Sequence, residues 1–270
     1  MSQEPIDLSR VFPNIAAQMR SALCNLHLAA AQLVPAAARE RDPALDAKAA
    51  LLDQSYYQLL RLVNNLTAAE NLAKPTPLPL RDRDLVETVR SVCASAQDLA
   101  EMRGLRLEFC SAEDYHVCAF HRPSIEQLLY QLLSNAFKFT PAGGTVTVEL
   151  RFSGKRALLS VSDTGCGIQE DLMPFLFDRY LRDEVQAPDP HGLGLGLAIC
   201  QHIAESHGGV MMAESRPGQG TRFTFSLPDD CCGSLDMSDV PFDYSGGFNP
   251  ILLAMADALP PEAFSLRHLD

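Results

Sequence analysis

The chain has 270 residues, 47% of them hydrophobic, which is enough apolar side chain to fill one large core or two ordinary ones. Its 22 basic residues stand against 34 acidic ones, a net charge of −12, and no long basic run is present to neutralise a phosphate backbone, which argues against sequence-independent nucleic-acid binding. The opening MSQEPIDLSR has no charged-then-apolar signal pattern and no apolar run reaches membrane length, so a soluble protein with no membrane span is expected.

From Phe12, the residues Ile15, Met19, Ala22, Leu26, Ala29 and Leu33 recur at spacings of three and four, the seam of a helix that packs against other helices. Leu52, Tyr56, Leu59, Val63 and Leu66 repeat the pattern, and the charged stretch from Arg39 to Pro43 between the two runs reads as a turn. Residues 1–73 are therefore expected to form a helical hairpin. One hairpin covers only one side of each helix, so pairing two of them into a four-helix bundle, a homodimer, is the expected solution; folding back onto the rest of the chain is the alternative.

Alternating prolines at Pro75, Pro77 and Pro79 suit neither a helix nor a central strand and place a linker over 74–80. Beyond it the pattern predicts helices over 84–102 and 123–137 and near Gln201. Strands are predicted over 105–110, 145–152, 156–162, 210–214 and 222–227. Helices and a mostly antiparallel sheet in this order predict a two-layer α/β sandwich over 81–228, and an α+β protein as a whole.

Four short segments converge on one ligand type. In NAFKFT, Asn135 and Lys138 share a helix face and offer an amide oxygen for a magnesium ion and a cation for phosphates. In DTGCGI, Asp163 ends a strand and can accept the exocyclic amine of adenine, while Gly165 and Gly167 let the backbone lie close to the base. In GLGLGLAI, Gly192, Gly194 and Gly196 can aim amides at an anion, and a helix beginning near Leu197 adds its positive end. In GQGTRFTF a glycine turn feeds a strand, with Thr221 able to bond a phosphate or a site water. Each segment alone reads as an ordinary turn or solvated surface; their order and joint presence do not. Neither a Walker A pattern nor a strand followed by GxGxxG is present.

These segments, together with FLFDRY (175–180), IAESHGG and LLSNAFKFTPAGG, make residues of about 52–228 resemble the catalytic core of bacterial sensor histidine kinases. That core lies within the wider ATPase family of gyrase B-subunits and anti-sigma-factor kinases. The resemblance implies that Asn135 coordinates magnesium, that Asp163 reads adenine, that Lys138 and Arg182 contact phosphates, and that 181–192 forms a lid over ATP. It also implies a response-regulator or other signalling partner.

Two places depart from the family pattern. FPNIAAQMRSAL resembles the motif that carries the phosphoacceptor histidine, yet Ala17 stands at the histidine position, and an alanine methyl has no lone pair to attack a γ-phosphate. Gln131 stands where these kinases have Asn and hydrolysing relatives have a Glu base; a neutral amide cannot take a proton from water, so rapid hydrolysis is not expected. Ser21 and His27 are the other candidate acceptors near the motif, Ser21 as an unactivated hydroxyl and His27 with the alternative of a packed helix residue. His207 resembles a structural family position, and His191 borders the lid.

Residues 229–270 have no counterpart in the family core. A short apolar helix is predicted over 250–259, either docked on its own domain or free to bind a partner or inhibit. Eight cysteines are scattered without metal-binding spacing, which fits a reducing cytoplasm; Cys231 and Cys232 read as reduced tail thiols, with a thiol switch as the alternative. Three readings stay open: a kinase of the histidine-kinase class acting on an unusual residue or a separate protein, a catalytically inactive ATP-dependent switch, and a phosphotransfer or scaffold protein.

Overall fold

The computed structural model describes residues 8–71, 78–178, 194–234 and 248–269. The N-terminal part is a hairpin of two long helices, α1 (Leu8–Leu33) and α3 (Pro43–Asn71), joined through the short helix α2 (Ala36–Arg39). The helices run antiparallel: Arg20 Nη2 donates to Asn64 Oδ1 at 3.2 Å, and His27 stacks on Tyr56 with ring centroids 4.5 Å apart. The connection is the charged turn that its composition suggests, exposed over residues 40–43, but Arg39 at its start is not exposed with it. Arg39 is buried, its Nε 2.7 Å from Asp46 and its Nη1 2.8 Å from Asp53, because a guanidinium fork can satisfy two carboxylates at once.

The apolar seam of α1 points outward from the single chain. Met19, Leu26 and Leu33 are 45%, 65% and 82% exposed, and Leu52 and Leu59 on α3 are also exposed. Tyr56 and Val63 of the same α3 seam are buried, as are Tyr57 and Leu60. The hairpin thus packs on the rest of the chain through α3 and still leaves the seam of α1, with Leu52 and Leu59 of α3, open.

The second part is a five-stranded sheet in the order β2 (Arg106–Ser111), β4 (Thr145–Ser153), β5 (Arg156–Asp163), β7 (Thr221–Pro228), β6 (Val210–Ser215). Only the β2 and β4 pair is parallel. Helices α4 (Leu85–Met102), α5 (Arg122–Phe139) and α6 (Gly196–Ser206) cover one face. The strand pleat sorts the side chains: Val146, Val148, Leu150, Leu159 and Phe225 bury against the helices, while Glu149, Arg151, Glu214 and Arg222 line a shallow depression on the other face. Asp84 caps α4 by accepting from Val86 N at 3.0 Å, and Pro123 sits in the first turn of α5.

Two strands have no signal in the sequence pattern. β1 (Arg81–Asp84) and β3 (Val117–Phe120) pair antiparallel as a separate ribbon, and the chain leaving β7 extends it through Ala119 N to Asp230 O and Asp82 N to Ser234 O. The Asp82 carboxylate accepts from Cys232 N and Gly233 N, each at 2.7 Å. Cys231 and Cys232 are free thiols on this exposed stretch.

The C-terminal segment forms α7 (Pro250–Met255), a helical turn over Pro261–Phe264 and α8 (Leu266–Leu269). It begins two residues later than Phe248, whose ring meets Tyr56 and Tyr57, and it lies against both α3 and α5. Met255, Ala256 and Phe264 are wholly buried there, and Gln54 Nε2 donates to Leu259 O at 2.8 Å. The segment therefore docks on its own chain, across the hairpin and the sandwich together.

Candidate functional site

Helix α5 ends on the phenylalanine whose carbonyl begins a chain of backbone contacts joining the glycine segments. Cys166 N donates to Phe139 O at 3.3 Å, Gly218 N donates to Cys166 O at 2.7 Å, and Thr221 N donates to Asp163 Oδ1 at 3.2 Å. The end of NAFKFT, the DTGCGI loop and the GQGT turn are thus one connected structure, although they are far apart in sequence.

The glycines of this structure are needed first by the chain itself. A Cβ on Gly165 would lie 2.4 Å from Phe139 O, and one on Gly167, whose φ is +71°, would lie 2.0 Å from Arg216 O. Close approach of a ligand is a second use of a crossing that already excludes side chains. Gly220, with φ +83°, is squeezed in the same way against Asp163 O.

Asp163 ends β5 with its carboxylate largely withdrawn from water. Oδ1 accepts from Gly165 N at 2.8 Å and from Thr221 N, while neither bond uses Oδ2. Burial pushes the carboxyl above the ordinary carboxylate value, outweighing the two N–H donors that pull it down. A fixed, half-desolvated acceptor of this kind favours a donor ligand over bulk water.

Thr221 is buried, and its bonds sharpen what its hydroxyl can do. Ser215 Oγ donates its single proton to Gly220 O at 2.8 Å, so the 3.0 Å contact between Ser215 Oγ and Thr221 Oγ1 takes the proton of Thr221. The Thr221 oxygen keeps only its lone pairs. In this arrangement it is set to accept from a site water, one of the two roles open in the sequence.

On α5, Asn135 is half-buried and its amide bonds to no described residue, whereas Lys138 Nζ lies 5.4 Å from the centre of the Phe139 ring. Gln131, one turn before Asn135, is buried and fully engaged. Its Oε1 accepts from Arg61 Nη2 at 2.9 Å and its Nε2 donates to Asn65 Oδ1 at 3.0 Å, both on the hairpin. A Cβ on Gly196 would sit 3.0 Å from the same Oε1, so Gln131 abuts the first residue of α6. Helix α6 has no side-chain cap from Leu195, and its first N–H groups meet no acceptor among the described residues. Gly194 precedes it at φ +66°, and Leu197 is half-buried in the first turn.

Of the remaining sequence candidates, Arg182, Gly192, His191 and the 181–192 segment lie outside the described residues. Ala17 and Ser21 are exposed on α1. His27 is a packed residue, with Tyr56 on its face, the Phe248 ring 5.1 Å away and Nδ1 3.7 Å from Asp53. His207 is buried, with Nδ1 2.7 Å from Ile203 O and Nε2 accepting from His121 N, and it closes the sandwich rather than facing a ligand. Among the described residues no cluster of three or more His, Cys, Asp or Glu could hold a metal. A magnesium ion here would lean on one amide, Asn135, plus phosphate oxygens and water, and magnesium accepts such sparse protein ligation. The hairpin partners of Gln131 escape sequence reasoning, because nothing local in Arg61 or Asn65 marks them as its contacts.

Comparison with known proteins agrees with this geometry. Residues 121–230 match the family described as histidine kinase-, DNA gyrase B- and HSP90-like ATPase. Sensor protein IrlS of Burkholderia pseudomallei is 32% identical over 83% of this chain and 47% of its own length. The adaptive-response sensory kinase SasA of a Synechococcus species is 31% identical over 84% of this chain and 61% of its own. The crystal structure of full-length ShkA in complex with AMPPNP superposes with a TM-score of 0.67 at 26% identity, over 83% of this chain and 46% of that one. The chain spans less than two thirds of the length of either relative. Residues 121–230 thus match the histidine kinase-, DNA gyrase B- and HSP90-like ATPase family, and hairpin and sandwich together are similar to the core of sensor histidine kinases.

Proposed function

We propose that the chain is a cytoplasmic, dimeric, ATP-binding signalling protein of the histidine-kinase class that does not phosphorylate itself at the usual position. Adenine donates its exocyclic amine to Asp163, and a water held by Thr221 completes the contact. Lys138 and Arg182 meet the phosphates, together with the amides of Gly192, Gly194, Gly196 and Leu197. Asn135 holds magnesium, and 181–192 folds over the nucleotide. The observation that supports this most is the Asp163 carboxylate, half-buried, fixed through one oxygen and set among glycines that admit no side chain.

Ala17 presents a methyl group on the exposed face of α1, and no proton or lone pair is available there for phosphoryl transfer. Helix seams left open on α1 and α3 support pairing of two hairpins into a four-helix bundle. A response regulator or another signalling protein is the partner. Incubation with γ-labelled ATP tests the reading: the chain alone is expected to take up no label, and stable label on the hairpin would restore the self-phosphorylating alternative. Label passed to a separate protein would assign it as a kinase acting in trans; its absence with every partner would leave a nucleotide-dependent switch.

A further inference from the structure

Arg61 is 5% exposed at the junction of the three parts of the chain. Nη1 donates to Ser134 Oγ at 2.9 Å, Nη2 donates to Gln131 Oε1 at 2.9 Å, and Nε has no partner. Burying a guanidinium is costly unless a counter-charge accompanies it, and that charge comes from the C-terminal segment: Asp257 Oδ2 lies 3.3 Å from Nη1, with its side chain 10% exposed. Helix α3, the sandwich and the segment after α7 therefore share one ion pair.

What Arg61 grips is chemically particular. Gln131 has both ends of its amide committed, the nitrogen to Asn65 and the oxygen to Arg61, so its orientation is fixed. The same oxygen touches the only side of Gly196 that a side chain could occupy, at the uncapped start of α6. A line of contacts runs from Asp257 through Arg61 and Gln131 to the turn that would meet the phosphates.

We propose that Arg61 is a positioning residue for the phosphate end of the nucleotide site, and that Asp257 of the C-terminal segment keeps it in place. This rests on the nucleotide reading above and adds to it that hairpin and C-terminal segment both set nucleotide affinity. The two ends of the ligand then respond differently. Adenine is held by Asp163, whose hydrogen bonds go to Gly165 and Thr221 and not to this line, whereas the phosphates depend on where α6 begins. Linkage requires the converse too: a triphosphate that prefers the fixed turn must tighten the contact between hairpin and sandwich.

The test compares ATP with adenosine by calorimetry on the full chain and on Arg61→Lys and Asp257→Asn, with thermal melts alongside. Both variants are expected to bind ATP about tenfold more weakly, as for a lost charge-assisted hydrogen bond, and adenosine as the parent chain does. Slower amide exchange around Arg61 when ATP is added to the parent chain is the expected reciprocal effect. Equal weakening of ATP and adenosine would make Arg61 mere cement between domains, and unchanged ATP affinity would remove it from the site; either result overturns the proposal. Asp257→Asn preserves the shape of the contact and carries the test if Arg61→Lys melts below the working temperature. A parent chain that binds neither ligand would instead overturn the nucleotide reading itself.

Discussion

Asp163 and Thr221 lie 58 residues apart in sequence, yet the backbone N–H of Thr221 donates to the same Asp163 oxygen, Oδ1, that Gly165 uses. Asp163→Asn therefore keeps both internal bonds and changes only the charge and the second oxygen, which becomes an N–H₂ donor. ATP should bind more weakly by about 1–3 kcal/mol, the worth of a hydrogen bond to a charged group lost at a partly buried site. The unliganded variant should melt no lower than the parent.

The same carboxylate sets a pH dependence. Its folded pKa is raised by burial, so its contribution to stability is fully present at low pH and is lost as pH rises through that raised value. ATP affinity runs the other way and falls as the carboxylate protonates. Calorimetry and thermal melts across the acidic range should each contain a component, of opposite sign in the two, that the parent chain has and Asp163→Asn lacks.

Gly167→Ala should destabilise the fold by about 1–3 kcal/mol, since a methyl there meets a backbone oxygen and the residue has a positive φ. Gly143 also has a positive φ, +88°, but a Cβ there meets nothing within 4 Å, so Gly143→Ala should cost less. Urea unfolding of the two variants separates the clash from the conformational penalty.

His116 lies between two carboxylates, its Nδ1 2.7 Å from Glu113 and its Nε2 2.7 Å from Asp229, with its ring stacked on Phe152. Desolvation opposes its charge, but the hydrogen bonds to Asp229 and Glu113 prevail and raise its pKa. The stabilisation is fully present below the unfolded value and is lost as pH rises through the folded one. His116→Gln should remove that component, which melts on either side of neutrality would register.

Leu26 is 65% exposed on the open seam of α1. Leu26→Glu should convert a dimer into a monomer in sedimentation experiments without lowering ATP affinity, because a charge in a helix seam opposes pairing and the nucleotide residues lie elsewhere.

Much of this architecture is local enough to read in the sequence. Val146, Val148 and Leu150 alternate, the Gly192 to Gly196 run precedes a helix, and Asp84 stands where a cap is needed. Other parts are set only by contact. Arg81–Asp84 reads RDRD, with no apolar alternation, and becomes a strand because Val117–Phe120 and the chain after β7 supply its partners. Arg39 reads as turn charge until Asp46 and Asp53 are found beside it. Gln131 reads as a missing base, and only the fold reveals Arg61 on its oxygen. Glycines read as making room for a ligand are first making room for Phe139 and Arg216 backbone oxygens.

Titration of the full chain with ATP and with GTP, magnesium present, probes the pocket most directly. A carboxylate that accepts the amine of adenine meets a carbonyl oxygen on guanine and repels it, so one ATP per chain should bind and GTP should not. Heat of binding from neither nucleotide, or equal affinity for both, would contradict the assignment of Asp163 and with it the nucleotide site.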